Sequence, residues 1–223
     1  MKKIIGLALV IAIFLGVGYG VKRYVGGPPQ PANGILVIGT EKDVNKVKQE
    51  YKHKTERTVD YKAKFVVTKK GESESEYLVI NKTTAEQLVK KGIIRARKEP
   101  GSASIISEPV NEIKELPGSL NLFYSISDYD LEDSQIDLNG KRIPVSYIKN
   151  QIWVGYMGMD FVILNDKTYD ELADPDSIMT VIHLKDNKFD YKEDKEEVEQ
   201  VFKTIENVYP DSKRKVNFVD IQD

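Results

Sequence analysis

Residues 160–184, DFVILNDKTYDELADPDSIMTVIHL, decide how the rest of this chain is read. Asp160 to Leu164 is an apolar run of strand length. Asn165 or Asp166 then offers a side-chain oxygen as an N-cap for a helix through Ala173, and Ile178 to Leu184 returns as a strand. Downstream, Asp194 to Val208 brings Val198, Val201, Phe202, Ile205 and Val208 to one helix face. Pro210 stops that helix, and Val216 to Ile221 is a last strand. This β-α-β-(loop)-α-β order predicts a split βαβ arrangement and an α+β fold.

Working upstream, Leu122 to Ile126 reads as a strand. Ile136-Asp137-Leu138-Asn139-Gly140, followed by Arg142-Ile143, is a hairpin signal, because Asn-Gly supplies both positive-φ residues of a type I′ turn. Tyr147 to Val154 extends the sheet. These elements make an α+β unit over 119–223. Before it, residues 35–118 make a β-rich unit. Ile35 to Ile38 is a strand, and Thr40 with Asp43 caps a helix whose buried face is Val44, Val47 and Tyr51. Val59 to Thr68 alternates as a half-buried strand with Glu76 to Ile80 as its hairpin partner. Thr83 and Glu86 form a capping box for a helix ending at Gly92, and Ile93 to Lys98 is a further strand.

The N-terminus is different in kind. Ile4 to Val21 is 18 residues without a charge, and eleven of them are Leu, Ile, Val or Phe. As a helix it would span ~27 Å, close to the thickness of a bilayer core. Residues 1–25 therefore read as a single-pass transmembrane anchor and 26–34, GGPPQPANG, as a stiff linker. The apolar core is longer than that of a secretory signal, and no Ala-x-Ala site follows it. The expected address is the cell membrane with the body extracytoplasmic; the alternative is a cleaved signal and a secreted body. The chain has no cysteine, which excludes a lipid-modified one.

Charge is unevenly placed: residues 41–98 carry +7 and residues 99–223 carry −13. A basic membrane-proximal half suits anionic headgroups, and an acidic distal half suits a cationic peptide or basic partner. Without an aromatic platform in the basic half, nucleic acid is not expected as a partner. Chemistry is scarce. His53 and His183 are the two histidines, and without cysteine they do not supply the several closely spaced His or Cys ligands that zinc usually takes. There is no nucleophile elbow and no phosphate-binding glycine loop. The candidate contact residues are the acidic cluster Asp128, Asp130, Glu132, Asp133 and Asp137, and the apolar loop with Trp153, Tyr156, Met157 and Met159. The acids lack the sixth-position Gly and twelfth-position Glu of an EF-hand loop. The competing readings are a solvated loop for the acids and an inward-packed connection for the apolar residues. No catalytic, metal or cofactor residue is assigned.

The stretch Gly155-Tyr156-Met157-Gly158-Met159-Asp160 through Leu172, the strand Met179 to Leu184 and the acidic helix at Asp194 resemble the extracytoplasmic domain of FtsX/MacB-superfamily ABC transporter permeases, including the Bce type. The resemblance covers about 120–223. This chain differs in having a single expected anchor, so it implies an accessory partner rather than a transport channel. Tyr61 to Thr68, Gly71, Glu76 to Lys82 and Leu88 to Gly92 resemble the YxeA-type exported proteins, which implies a small barrel-like unit. The expected function is a non-enzymatic, membrane-anchored binding or accessory protein, acting beside an ABC permease or sensor in envelope stress or antimicrobial-peptide response. The alternative is a structural or assembly protein of the cell envelope without a small ligand.

Overall fold

The structure, a computed structural model, describes residues 28–70, 73–98, 106–116, 118, 121–149, 152–156, 158–173, 177–185 and 188–222. The expected anchor lies outside the described residues, and among the described ones no helix is long and apolar enough to cross a membrane. The first elements are β1 (Pro31–Ala32), β2 (Gly34–Gly39), α1 (Glu41–Glu50), β3 (Thr55–Lys70), β4 (Ser73–Asn81), α2 (Lys82–Lys90), β5 (Ile94–Arg97) and β6 (Ser107–Pro109). Then come β7 (Leu122–Ser125), β8 (Leu131–Glu132), β9 (Gln135–Leu138), β10 (Lys141–Pro144), β11 (Ser146–Lys149), β12 (Ile152–Val154) and β13 (Phe161–Leu164). The chain closes with α3 (Asp166–Asp170), β14 (Ser177–Leu184), β15 (Phe189–Asp190), α4 (Lys195–Val208) and β16 (Val216–Val219).

The main sheet has eight strands in the order β11-β7-β13-β4-β3-β14-β2-β16. β14 and β16 both run antiparallel to β2, which lies between them. They are therefore parallel to each other, and α4 connects them: a split βαβ around β2. β2 and β3 likewise flank β14 and are joined through α1. The expected order of elements thus yields an α+β fold. The residue 118/119 boundary behaves differently from expectation. β2, β3 and β4 come from before it and the other five strands from after it, interleaved in one sheet. No barrel forms from residues 35–118 among the described residues. The reason is the length of β3: Thr55–Ala63 pair with β14, and Ala63–Lys70 pair with β4. The first half therefore leaves one edge of β3 that only a strand of the second half fills.

Alternation gives the sheet two apolar faces. Leu36, Ile38, Leu78, Ile80, Phe161 and Ile163 face one side and pack under α2 and a small sheet, β12-β5-β6. On the opposite side Ile35, Val37 and Phe218 lie under Val44 and Val47 of α1 and Val201 and Ile205 of α4. Farther along that side, Val66, Val79, Phe123 and Val162 are covered by Ile136, Leu138 and Ile143 of the meander β8-β9-β10.

Local signals account for the ends of these elements. The Thr40 hydroxyl accepts from the Asp43 amide at 3.3 Å, as the spacing predicts. The second helix is capped two residues earlier than expected: Asn81 Oδ1 accepts from the Thr84 amide at 2.8 Å, while the Thr83 hydroxyl donates to Asp166. Gly92 ends that helix at φ +67°, a conformation in which a side chain is strained. Asn139 and Gly140 have φ of +52° and +82°, the expected type I′ turn. The continuous strand expected over 147–154 is instead two, β11 in the main sheet and β12 in the small one.

Candidate functional site

The meander and the far end of the β3–β4 hairpin leave a groove of ≈ 380 Å³ between them. Its lining includes Asp130, Glu132 and Asp137 from the acidic cluster, with Lys69, Tyr77 and Arg142. Each element places its residue for a local reason. Alternation in β9 buries Ile136 and Leu138 and leaves Asp137 outward. The strand β4 instead buries Tyr77, whose ring packs edge-on against Phe123 at 5.7 Å while its hydroxyl reaches Asp130.

The three carboxylates are oriented by neighbours. Asp130 accepts from the hydroxyls of Tyr77 and Ser75. Glu132 accepts from Arg142 at 2.9 Å, and Asp137 Oδ1 accepts from the Gly140 amide at 2.6 Å. A carboxylate has about four lone-pair sites, so each keeps capacity for a further donor. Burial, and then the adjacent Asp130, push the Tyr77 phenol well above its ordinary value, so it remains a donor at neutral pH. Behind the groove, burial raises the Asp160 carboxyl; bonds from Ser125 and from the Ile126 backbone oppose that rise, and the charge of Asp130 adds to it.

The loop from β7 to β8 ends in Asp130, the residue it gives to the lining. It exposes Ile126 at 75% and Tyr129 at 67%, so apolar surface lies beside the acids. Asp128 is exposed in the same loop and its carbonyl closes a turn with the Leu131 amide at 2.9 Å. Asp133 sits in the tight β8–β9 turn at φ +51° and does not line the groove. Three of the five predicted acids thus converge.

The apolar candidates do not form an exposed surface. Trp153 is 4% and Tyr156 6% exposed. Tyr156 stacks on Tyr191 at 5.2 Å, and its hydroxyl donates to the Pro31 carbonyl. Gly155, at φ +75°, bends the chain inward here, and a Cβ on it would come within 2.7 Å of the Phe218 carbonyl oxygen. Met159 packs against the core, and Met157 lies outside the described residues. The inward-packed reading of this loop is therefore the one the described residues support.

A second acidic hollow, ≈ 510 Å³, lies at the start of α4 and is lined by Glu193, Asp194, Glu196 and Glu197 with Lys195 and Phe189. The acidic run 193–199 is legible in the sequence. Carboxylates there complement the partial positive charge of a helix N-terminus, so their presence needs no ligand. Elsewhere, His183 Nδ1 lies 3.4 Å from Glu56. Among the described residues, no three His, Asp or Glu side chains are grouped to hold a metal ion.

Comparison with solved structures places the fold. A protein assigned as a lipoprotein from Bacillus anthracis matches with a TM-score of 0.56 at 20% identity, covering 86% of this chain and 100% of that one. The extracellular domain of the ABC-type transporter YknZ from Gram-positive bacteria matches at 10% identity over 86% of this chain and 100% of that one, with a TM-score of 0.30. A search of curated proteins returns no match. Residues 32–222 match the model of a family described as an uncharacterised lipoprotein family, and over that span, nearly all of the described body, the chain belongs to it.

Proposed function

We propose that this protein is a non-enzymatic, membrane-anchored extracytoplasmic binding module, and that its groove takes a cationic, partly apolar segment of a partner. One observation carries the reading: three carboxylates converge in one groove, and the loop that delivers Asp130 to it exposes Ile126 and Tyr129. Carboxylates held by Tyr77, Arg142 and a turn amide are preorganised acceptors for lysine and arginine, and the exposed ring and aliphatic chain supply apolar contact. The lipoprotein description of the family supports an extracytoplasmic address. With no cysteine to acylate, the apolar stretch Ile4 to Val21 takes the anchoring role. A neighbouring membrane protein, such as an ABC permease or sensor, or a free cationic peptide, fits the groove's chemistry.

Titration of the full chain in nanodiscs with a cationic amphipathic peptide tests this by calorimetry. Saturable binding is expected, weaker at high salt because exposed charges are screened. Tyr129→Ala and Glu132→Gln are each expected to weaken binding by about tenfold, equivalent to ~1.4 kcal/mol. The absence of binding, or binding indifferent to both substitutions, contradicts the proposal.

A further inference from the structure

The outward face of the small sheet β12-β5-β6 holds an excess of donors. Ile94 and Val154 point from this sheet into the main core. By alternation Arg95, Arg97 and Trp153 share the other face, with Trp153 directly opposite Arg95. Arg95 is 4% exposed. Its Nε donates to the Ser107 hydroxyl at 2.9 Å and its Nη2 to the Ser107 carbonyl at 2.7 Å. The guanidinium lies 4.5 Å from the centre of the Tyr156 ring. Among the described residues, three buried N–H groups on this face have no acceptor: Arg95 Nη1, Arg97 Nε and Trp153 Nε1.

Buried polar groups are nearly always hydrogen-bonded, and three orphaned donors on one face of one small sheet share a chemistry. All are N–H groups and two belong to guanidinium ions. Among the described residues no carboxylate pairs with Arg95. Glu108 bonds Lys98 at 2.6 Å, and Asp220 lies 3.7 Å from Lys188; both act on Arg95 only through space. A planar guanidinium with a free N–H matches the geometry of an oxyanion.

We propose that this face is an oxyanion site, built for a phosphate group. Arg95 is buried and Arg97 half-buried, so the row of donors runs from the interior toward the surface along β5. The inner wall is Gln30, whose amide donates to the Ser107 carbonyl at 3.4 Å. Gln30 stands nine residues beyond Val21, a span of at most ~32 Å when extended. The site therefore lies within reach of headgroups if the apolar stretch is in a bilayer. A lipid phosphate and a free phosphate offer the same oxygens, and the experiment separates them. The site is independent of the acidic groove, and either can fail without the other.

Trp153 is the sole tryptophan, so its indole N–H resonance and emission report on the site directly. The full chain in detergent micelles is titrated with inorganic phosphate and, separately, with dihexanoylphosphatidylglycerol, against chloride at matched ionic strength. A saturable downfield shift of the indole N–H is expected with one or both probes. A response to the lipid alone assigns the headgroup, and a response to inorganic phosphate assigns the free anion as sufficient. Arg97→Gln is expected to weaken binding at least tenfold with circular dichroism unchanged. Trp153→Phe, which keeps the ring packing and removes the N–H, is expected to weaken it in calorimetry. No shift with either probe, or wild-type affinity in both variants, overturns the assignment.

Discussion

Asp160 shows how single residues here answer to the fold rather than to local sequence. Burial raises its carboxyl pKa in the folded chain, with bonds from Ser125 and Ile126 only partly opposing. The native state therefore holds this proton to higher pH than the unfolded chain does. Stability falls as pH rises through the window between the ordinary carboxyl value and the raised one. Asp160→Asn is expected to raise the denaturation midpoint at pH 7, with the gain shrinking as pH falls through the carboxyl range. A gain independent of pH contradicts this. Residue-level legibility was uneven for a related reason. The acids of the groove stand out in the sequence because charge is visible there. Arg95 does not, since Ile-Arg-Ala-Arg reads as a strand with its arginines in solvent, and only the chain laid over it by Gln30 and Tyr156 buries it. Trp153 and Tyr156 failed as surface candidates because the inward bend at Gly155 depends on the distant strand β16.

At the scale of elements, turn and cap chemistry was readable wherever it was local. Asn139-Gly140 forms its I′ turn and Thr40 its cap, because these motifs need only a few neighbouring residues. The second helix shows the limit: two acceptors, Asn81 and Thr83, compete, and tertiary contact decides between them. Thr83 turns to Asp166 and Asn81 takes the Thr84 amide. Asn81→Ala is therefore expected to cost ~1 kcal/mol of unfolding free energy. Thr83→Ala, whose bond is exposed, is expected to cost clearly less. Urea titrations of the two variants check this, and the reverse order contradicts the assigned cap. Within Tyr147 to Val154 the polar run Lys149-Asn150-Gln151 marks the break, but only the partners, β7 for one piece and β5 for the other, show that the two pieces belong to different sheets.

At the scale of the molecule, nonlocal pairing was the part least visible in the sequence. A hairpin signal fixes β3 to β4, but nothing nearby announces that the first half of β3 belongs beside β14. Because strands from both halves interleave, neither half owns a complete sheet. Denaturation is accordingly expected as one cooperative transition, coincident by far-UV circular dichroism and Trp153 fluorescence. Two separated transitions contradict the shared sheet. The same interleaving holds the meander against the hairpin end and so creates the acidic groove, on which the functional proposal depends. The measurement that tests that proposal most directly is an amide chemical-shift map of the full chain in nanodiscs during titration with a cationic amphipathic peptide. The account predicts perturbations concentrated on Ile126 to Arg142 and on Lys69. Perturbations confined to the acidic start of α4, or none at all, would contradict it.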